Sequence, residues 1–382
     1  MEFAVDDQQR LASLKEALEA RNGLDETQYA RLIGELERPP DHLGVDASGR
    51  LKVAMFDAKS YEVDPFDREN RDRFSIHRFP ASLSEETAQL AQGFKAICIF
   101  VNDRCDAKVI KILASLGVEL IALRCAGFNN VDLEACAEVG ISVVRVPAYS
   151  PYAVAEHTVG LMLTLNRRLH HAWNRNRSGY FVLDGLTGFD MYGKTAGVVG
   201  TGKIGVCTAN ILLGMGCRVL AYDKFPDPEF ESREGVEYVE LDRLFRESDI
   251  ITLHLPLFPE THHVINADSI ASMKDGVMLI NTSRGGLVDA NALITALKSR
   301  KIGSAGLDVY EEEAGIFFHN LSDDLIPDDV LARLMTFNNV IVTSHQGFLT
   351  REALANIAST TFDNLAEYLD GKRGSSLTNA VT

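Results

Sequence analysis

The chain has 382 residues, enough for two domains with a sizeable core. It is 46% hydrophobic and 24% charged, an ordinary globular composition, and its net charge of −16 argues against nucleic acid or an anionic membrane as a partner. No apolar run approaches the roughly 18 residues that span a bilayer, and the acidic start MEFAVDDQQR resembles neither a secretory signal nor an Arg-rich transit peptide, so a cytoplasmic protein is expected.

Residues 1–50 read as a helical N-terminal extension. Leu11, Leu14 and Leu18 share one helical face, and Asn22-Gly23 makes a stop. Asp25 with Gln28 resembles a capping box for a second helix carrying Tyr29, Leu32, Ile33 and Leu36, ended by Pro39-Pro40. Its apolar stripes need a surface to cover: the body of the protein, a second subunit or an outside partner.

Residues 51–148 alternate strand and helix signals. Strands are expected at 51–56, 74–79, 96–101, 119–124 and 142–146, with helices at about 85–92, 107–116 and 132–139. Such alternation implies a parallel sheet with helical crossovers, whose ligand loops lie at the carboxyl ends of the strands. Two loops stand out there, Arg124-Cys125-Ala126-Gly127-Phe128-Asn129-Asn130 and Pro147-Ala148-Tyr149-Ser150-Pro151. A long helix over 153–172 follows, and His157 within it reads as a hydrogen-bonded core histidine.

The stretch 194–224 organises the rest. Thr195–Val199 is a short β-branched strand that runs into Gly200-Thr201-Gly202-Lys203-Ile204-Gly205, then a helix, then a second strand ending in Asp223, 18 residues after Gly205. Gly200 permits a tight turn, Gly202 lets backbone amides approach a pyrophosphate, and Gly205 lets helix and strand pack closely. The helix N-terminus favours phosphate, and the acid suits the ribose hydroxyls of NAD while repelling a 2′-phosphate. Further strands are expected at 236–239, 249–254, 277–281, 304–308 and 340–343, then a last helix at about 351–370. At least six strands with the glycine turn near the first make a doubly wound sheet.

Three polar residues follow second-half strands. Arg284, in Asn281-Thr282-Ser283-Arg284-Gly285-Gly286, is either a bidentate clamp for a carboxylate or half of an ion pair. His345, in Thr343-Ser344-His345-Gln346-Gly347-Phe348, suits general acid–base work. Glu313 ends Asp308-Val309-Tyr310-Glu311-Glu312-Glu313, where one acid of the three could orient a histidine. None of the six cysteines forms a C-x-x-C pair, so they read as reduced core thiols. The adjacent pairs His170-His171 and His262-His263 should diverge on a helix or strand, so no metal site is expected.

The runs V-V-G-T-G-K-I-G, N-T-S-R-G-G, G-L-D-V-Y-E-E-E and S-H-Q-G-F, with Asp223, occur in the order seen in NAD-dependent D-2-hydroxyacid dehydrogenases. With L-R-C-A-G-F-N-N-V-D and V-P-A-Y-S-P, the chain resembles the fermentative D-lactate dehydrogenases of that family over about residues 51–372. The resemblance implies two doubly wound parallel-sheet (Rossmann/flavodoxin-like) α/β domains. The substrate domain would comprise 51–148 and 346–382, with the NAD-binding domain, 149–345, inserted into it. It further implies reversible reduction of pyruvate by NADH. Arg284, Glu313 and His345 would be catalytic, with His345 as acid/base, Glu313 as its partner and Arg284 on the substrate carboxylate. Backbone amides at Ala126 and Gly127 would hold the same carboxylate, and Tyr149 and Phe348 would line the pocket. Lys203 and Ile204 match the phosphate turn, and Leu255, Pro256, Thr261, Thr282, Ser283, Arg284 and Asp308 match later cofactor contacts. A homodimer or homotetramer is the family's habit. Two departures are the extension and Gly347, where the family has alanine, which would leave more room near the pocket. A bulkier 2-keto acid and a non-catalytic NAD-sensing scaffold, like the C-terminal-binding corepressors, are the rival readings.

Overall fold

The computed structural model describes residues 44–313 and 315–381, so nearly all of the expected helical extension lies outside the described residues. Its last part, 44–50, is a turn in which Val45 bridges Leu51. The chain divides into two units, one running through Tyr149 and resuming at Thr350–Thr382, the other being Ser150–Leu349.

In the first unit β1 (Lys52–Met55), β2 (Ser75–Arg78), β3 (Ala96–Ile99), β4 (Leu120–Leu123) and β5 (Ser142–Val144) form a parallel sheet in the order β2-β1-β3-β4-β5. This is the flavodoxin-like winding. Every residue of β3 and β4 is buried, as parallel strands covered on both faces require. Helix α1 (Val63–Asn70) was hidden in the sequence by Pro65. That proline sits in the first turn, where its missing N–H would have no helical partner anyway. The helix expected at 85–92 is a single 3-10 turn, Ala88–Ala91. Helices α2 (Ala107–Ser115) and α3 (Leu133–Val139) start at Asp106 and Asp132, whose carboxylates cap first-turn amides. The C-terminal helix, Arg351–Leu369, returns to this unit. Its Phe362 ring lies 5.5 Å from Phe66 and 5.6 Å from Phe74. Burying such an aromatic cluster is worth several kcal/mol, about 1.5–3 per large side chain.

The second unit opens with α4 (Pro151–Asn166), capped by Ser150, and α5 (Leu169–Arg177). One helix was expected over 153–172; Arg168, at φ 52°, breaks it in two. The strands are β6 (Thr195–Val199), β7 (Arg218–Tyr222), β8 (Val236–Tyr238), β9 (Ile250–Leu253), β10 (Val277–Asn281), β11 (Ile302–Leu307) and β12 (Val340–Val342). All are parallel, in the order β12-β11-β10-β9-β6-β7-β8. Between them lie α6 (Lys203–Gly214), α7 (Pro228–Glu231), α8 (Leu241–Glu247), α9 (Ala267–Ser272), α10 (Ala290–Ser299) and α11 (Asp329–Met335). The order reverses between β6 and β9, the switch point where such sheets bind dinucleotides. The two-residue period of a strand separates the cores. Ala196, Val198, Met278 and Ile280 face α4 and α6, while Val199, Val277 and Leu279 face the opposite side. No helix among the described residues is long and apolar enough to cross a membrane.

Candidate active site

The switch point is built by its glycines. Gly200 adopts φ +97°, which only glycine takes without strain, and a Cβ there would fall 2.7 Å from the His254 backbone. A Cβ on Gly205 would fall 1.9 Å from the Gly200 carbonyl oxygen, so this glycine sets the helix against the turn. Gly202 differs. Its φ of −64° suits any residue, and a Cβ would meet no protein atom within 4 Å. It is also the N-cap of α6 and supplies no side-chain cap to the first-turn amides. Neither conformation nor packing asks for glycine at 202, which leaves close approach by something outside the chain. Lys203 beside it is exposed, Ile204 half-buried.

Asp223, at the end of β7, is fixed against this turn. One carboxylate oxygen accepts from the Thr201 amide at 2.7 Å and the other from the Phe225 amide at 2.9 Å. A carboxylate has about four lone-pair sites, so acceptor capacity remains for hydroxyls. After β9, the Thr261 hydroxyl donates to the Pro256 carbonyl at 2.7 Å and accepts from the Phe258 amide at 2.8 Å, closing the loop that Leu255 enters. Ser283 donates to the Leu255 carbonyl at 2.5 Å, and Thr282 meets Thr158 at 2.8 Å. These residues hold the loops after β9 and β10 together around the switch point.

Arg284 follows β10. Its guanidinium donates to the Ser283 carbonyl at 2.7 Å and makes no ion pair among the described residues. Of the two readings open from sequence, the ion pair is absent there. Gly285 brings Arg284 close to the next loop, since a Cβ would lie 2.0 Å from the Tyr310 carbonyl carbon. That loop carries Glu313, whose Oε1 lies 2.8 Å from His345 Nδ1. Its Oε2 accepts from the Tyr310 amide at 3.0 Å, which fixes the carboxylate. Facing a carboxylate, Nδ1 is the donor. Nε2 makes no hydrogen bond among the described residues and is left to exchange a proton.

The turn bearing His345 is strained. Ser344 and His345 have φ of 51° and 59°, consecutive left-handed residues that are not glycine. Asp308 holds them there. It is buried, and its carboxylate accepts from Thr343 Oγ1 at 2.6 Å, the Gln346 amide at 2.8 Å and the Gly347 amide at 2.8 Å, with His157 Nε2 at 3.3 Å. Burial opposes its charge, yet these hydrogen bonds outweigh burial and hold its carboxyl below the usual range. Asp308, expected as a cofactor contact, is thus bonded to the turn carrying His345. Gly347, expected to leave room near the pocket, faces inward instead. A Cβ there would meet Asp308 Oδ2 at 2.8 Å and His157 Cδ2 at 3.4 Å. His157 is hydrogen-bonded, as expected, to Thr343 Oγ1 at 3.0 Å.

In the first unit, Ala126 and Gly127 follow β4. Arg145 donates to the Ala126 carbonyl at 2.8 Å, and Cys125 Sγ to that of Gly127 at 3.2 Å. The preceding Arg124, fully buried, pairs with Glu62 at 2.7 Å and donates to the Asp57 carbonyl at 2.8 Å. Nothing in the sequence marked that pair, because its partners lie 62 and 67 residues apart. Asn356 donates to the Tyr149 carbonyl at 2.6 Å, and Phe348, in the second unit, is buried. His254, directly after β9, belongs to none of the sequence motifs. Burial beside the glycine turn pushes its imidazole down to about 3. None of the six cysteines is in a disulfide, and five of them are buried. The histidine pairs do not diverge: the His170 and His171 rings are tilted with centroids 4.0 Å apart, and the His262 and His263 rings stack at 3.8 Å.

These features define a dinucleotide-binding α/β protein whose second unit carries an arginine and a histidine–carboxylate pair on neighbouring strand ends. Comparison narrows the class. The family model for the D-isomer specific 2-hydroxyacid dehydrogenase NAD binding domain matches residues 159–347. A 2-hydroxyacid dehydrogenase homolog of Haemophilus influenzae is 53% identical over 323 residues, 84% of this chain and 97% of the relative. D-lactate dehydrogenase of Escherichia coli (strain K12) is 52% identical over 323 residues, covering 84% and 98%. A solved structure described as the pyruvate reductase of Chlamydomonas reinhardtii superposes with a TM-score of 0.82 at 48% identity, over 86% of this chain and 98% of that one. The chain belongs to the NAD-dependent D-isomer specific 2-hydroxyacid dehydrogenase family. Its own residues fit NAD: an open glycine at the helix N-terminus for the pyrophosphate, and the anchored Asp223 carboxylate for the ribose.

Proposed function

We propose that this protein is a D-lactate dehydrogenase that reduces pyruvate to D-lactate with NADH, reversibly. The observation that carries the reading is the 2.8 Å His345–Glu313 pair, with the other imidazole nitrogen unbonded among the described residues. NAD, when bound, supplies or accepts the hydride. The chain's residues do the rest. Arg284, without an ion-pair partner among the described residues, binds the substrate carboxylate and offsets negative charge developing on the keto oxygen. His345 Nε2 gives that oxygen its proton, or takes it from the alcohol in reverse, while Glu313 keeps Nδ1 protonated and the ring aimed. Asp308 positions the turn that presents His345. By the family resemblance, the backbone amides of Ala126 and Gly127, together with Tyr149 and Phe348, are the further substrate-contact candidates. Gly200, Gly202, Lys203, Ile204, Gly205 and Asp223 hold the dinucleotide, with Leu255, Pro256, Thr261, Thr282 and Ser283 as the loop contacts.

The same reading makes the protein cytoplasmic, with its cysteines outside any disulfide, and a homodimer or homotetramer. Exposed apolar side chains over 169–192 support assembly: Leu169 is 52% exposed, Trp173 60%, Phe181 73%, Leu183 77% and Tyr192 80%. The deciding experiment follows NADH oxidation with pyruvate and resolves the product on a chiral column. D-Lactate at a kcat/KM above that for phenylpyruvate or 2-ketoisocaproate is the expected result. Faster turnover of a bulkier acid would transfer the assignment to that acid. NADH binding without turnover of any 2-keto acid would refute the catalytic reading.

A further inference from the structure

Outside the residues given roles above, one cluster combines metal-ligating side chains from two loops. His262 and His263 lie in the loop after β9, and Glu311 lies in the loop after β11. Consecutive side chains on an extended strand point apart, but His263 is left-handed, at φ 51°, and this lays its ring on that of His262 with centroids 3.8 Å apart. The His263 amide donates to the Gly286 carbonyl at 2.8 Å, and Asn266 Nδ2 to the His263 carbonyl at 2.9 Å, which holds that backbone. His263 Nε2 reaches Glu311 Oε2 at 2.7 Å. One atom from each of the three side chains lies within 4.8 Å of the others.

The pair His263–Glu311 is satisfied without help; His262 is not explained by it. Its ring is exposed and makes no hydrogen bond among the described residues. A cation held by all three side chains would give the unbonded His262 ring a partner. We propose that His262, His263 and Glu311 bind a transition-metal dication, Zn²⁺ foremost. Two imidazoles and one carboxylate form a borderline ligand set that suits zinc, and the exposed side leaves a coordination position to water. Zinc–ligand bonds of about 2.0–2.2 Å place tetrahedral ligand atoms roughly 3.4 Å apart. Coordination would widen the 2.7 Å His263–Glu311 contact slightly, and His262, whose side chain is exposed, is the ligand with room to turn toward the ion. The bound ion ties the loop after β9 to the loop that carries Glu313, two residues beyond Glu311.

The test titrates Zn²⁺ calorimetrically into chelator-treated full-length protein, comparing wild type with His262→Gln and Glu311→Gln. His262→Gln alters an exposed ring without hydrogen bonds among the described residues, so it tests the site without disturbing the fold. Cysteine thiols and the pair His170-His171 are the same in all three proteins and cancel. Wild type should take up one Zn²⁺ more than His262→Gln, or hold it at least about tenfold tighter, and zinc should raise the melting temperature of wild type more than that of either variant. Superimposable isotherms and equal melting shifts in wild type and His262→Gln would overturn the site. So would retention of the extra ion by Glu311→Gln.

Discussion

Gly202→Ala separates cofactor binding from folding, because the structure gives glycine no internal task there. With φ −64° and ψ −175°, alanine fits without strain, and its methyl group would meet no protein atom within 4 Å. Restricting the unfolded chain contributes about 0.4–1 kcal/mol in favour of alanine. Alanine is the poorer N-cap by about the same amount. The two offset, so urea unfolding of the cofactor-free protein should match wild type within about 0.5 kcal/mol. NADH binding should not survive so well. On the proposed assignment of this turn to the pyrophosphate, the methyl would stand between it and the first-turn amides of α6. Losing one charge-assisted hydrogen bond costs about 1.5–3 kcal/mol, which is roughly 10- to 150-fold in Kd. NADH fluorescence titration reads that number directly. An unchanged Kd would refute the assignment of the glycine turn to the pyrophosphate, and a large stability loss would refute the claim of open space. Gly205→Ala is the contrast: its Cβ would lie 1.9 Å from the Gly200 carbonyl oxygen, so the fold itself should suffer.

Arg284→Lys keeps the charge but loses the planar fork, so KM for pyruvate should rise and kcat/KM fall about 100-fold; a wild-type KM would end the clamp assignment. Glu313→Gln preserves shape while letting Nδ1 lose its donor role, so kcat should drop about 100-fold or more with NADH affinity intact. Equal kcat would show that the 2.8 Å contact does not orient the base. Acid stability follows His254. Its folded value, about 3, lies below that of a free histidine, so below about pH 6.5 the unfolded chain takes up a proton that the folded one refuses. Stability should therefore fall between pH 7 and 5, by about 1–2 kcal/mol from this residue. Urea midpoints of His254→Gln should show the shallower pH slope; parallel slopes would count against burial as the cause.

Much was legible along the chain because its signals are local. A β-branched run before G-x-G-x-x-G, with an acid 18 residues beyond, already specifies strand, turn, helix and strand. Short apolar, β-branched runs placed every strand of both sheets to within a residue or two. The short motifs also marked Arg284, Glu313 and His345, since each follows a strand end. Local signals failed where the deciding fact was a contact between distant residues or a backbone angle. Pro65 concealed a helix whose first turn tolerates it. Arg168 broke a helix whose apolar pattern ran on. Tertiary structure alone chose which of three consecutive acids meets which histidine: Glu313 takes His345, Glu311 takes His263, and Glu312 stays exposed. It alone bonded Asp308 to the left-handed turn beneath His345, and turned Gly347 inward to make room for that carboxylate. Composition and period dictate elements because each residue votes for its own backbone. Partnership depends on where two chain segments, tens of residues apart, are brought together by the packing of the sheet.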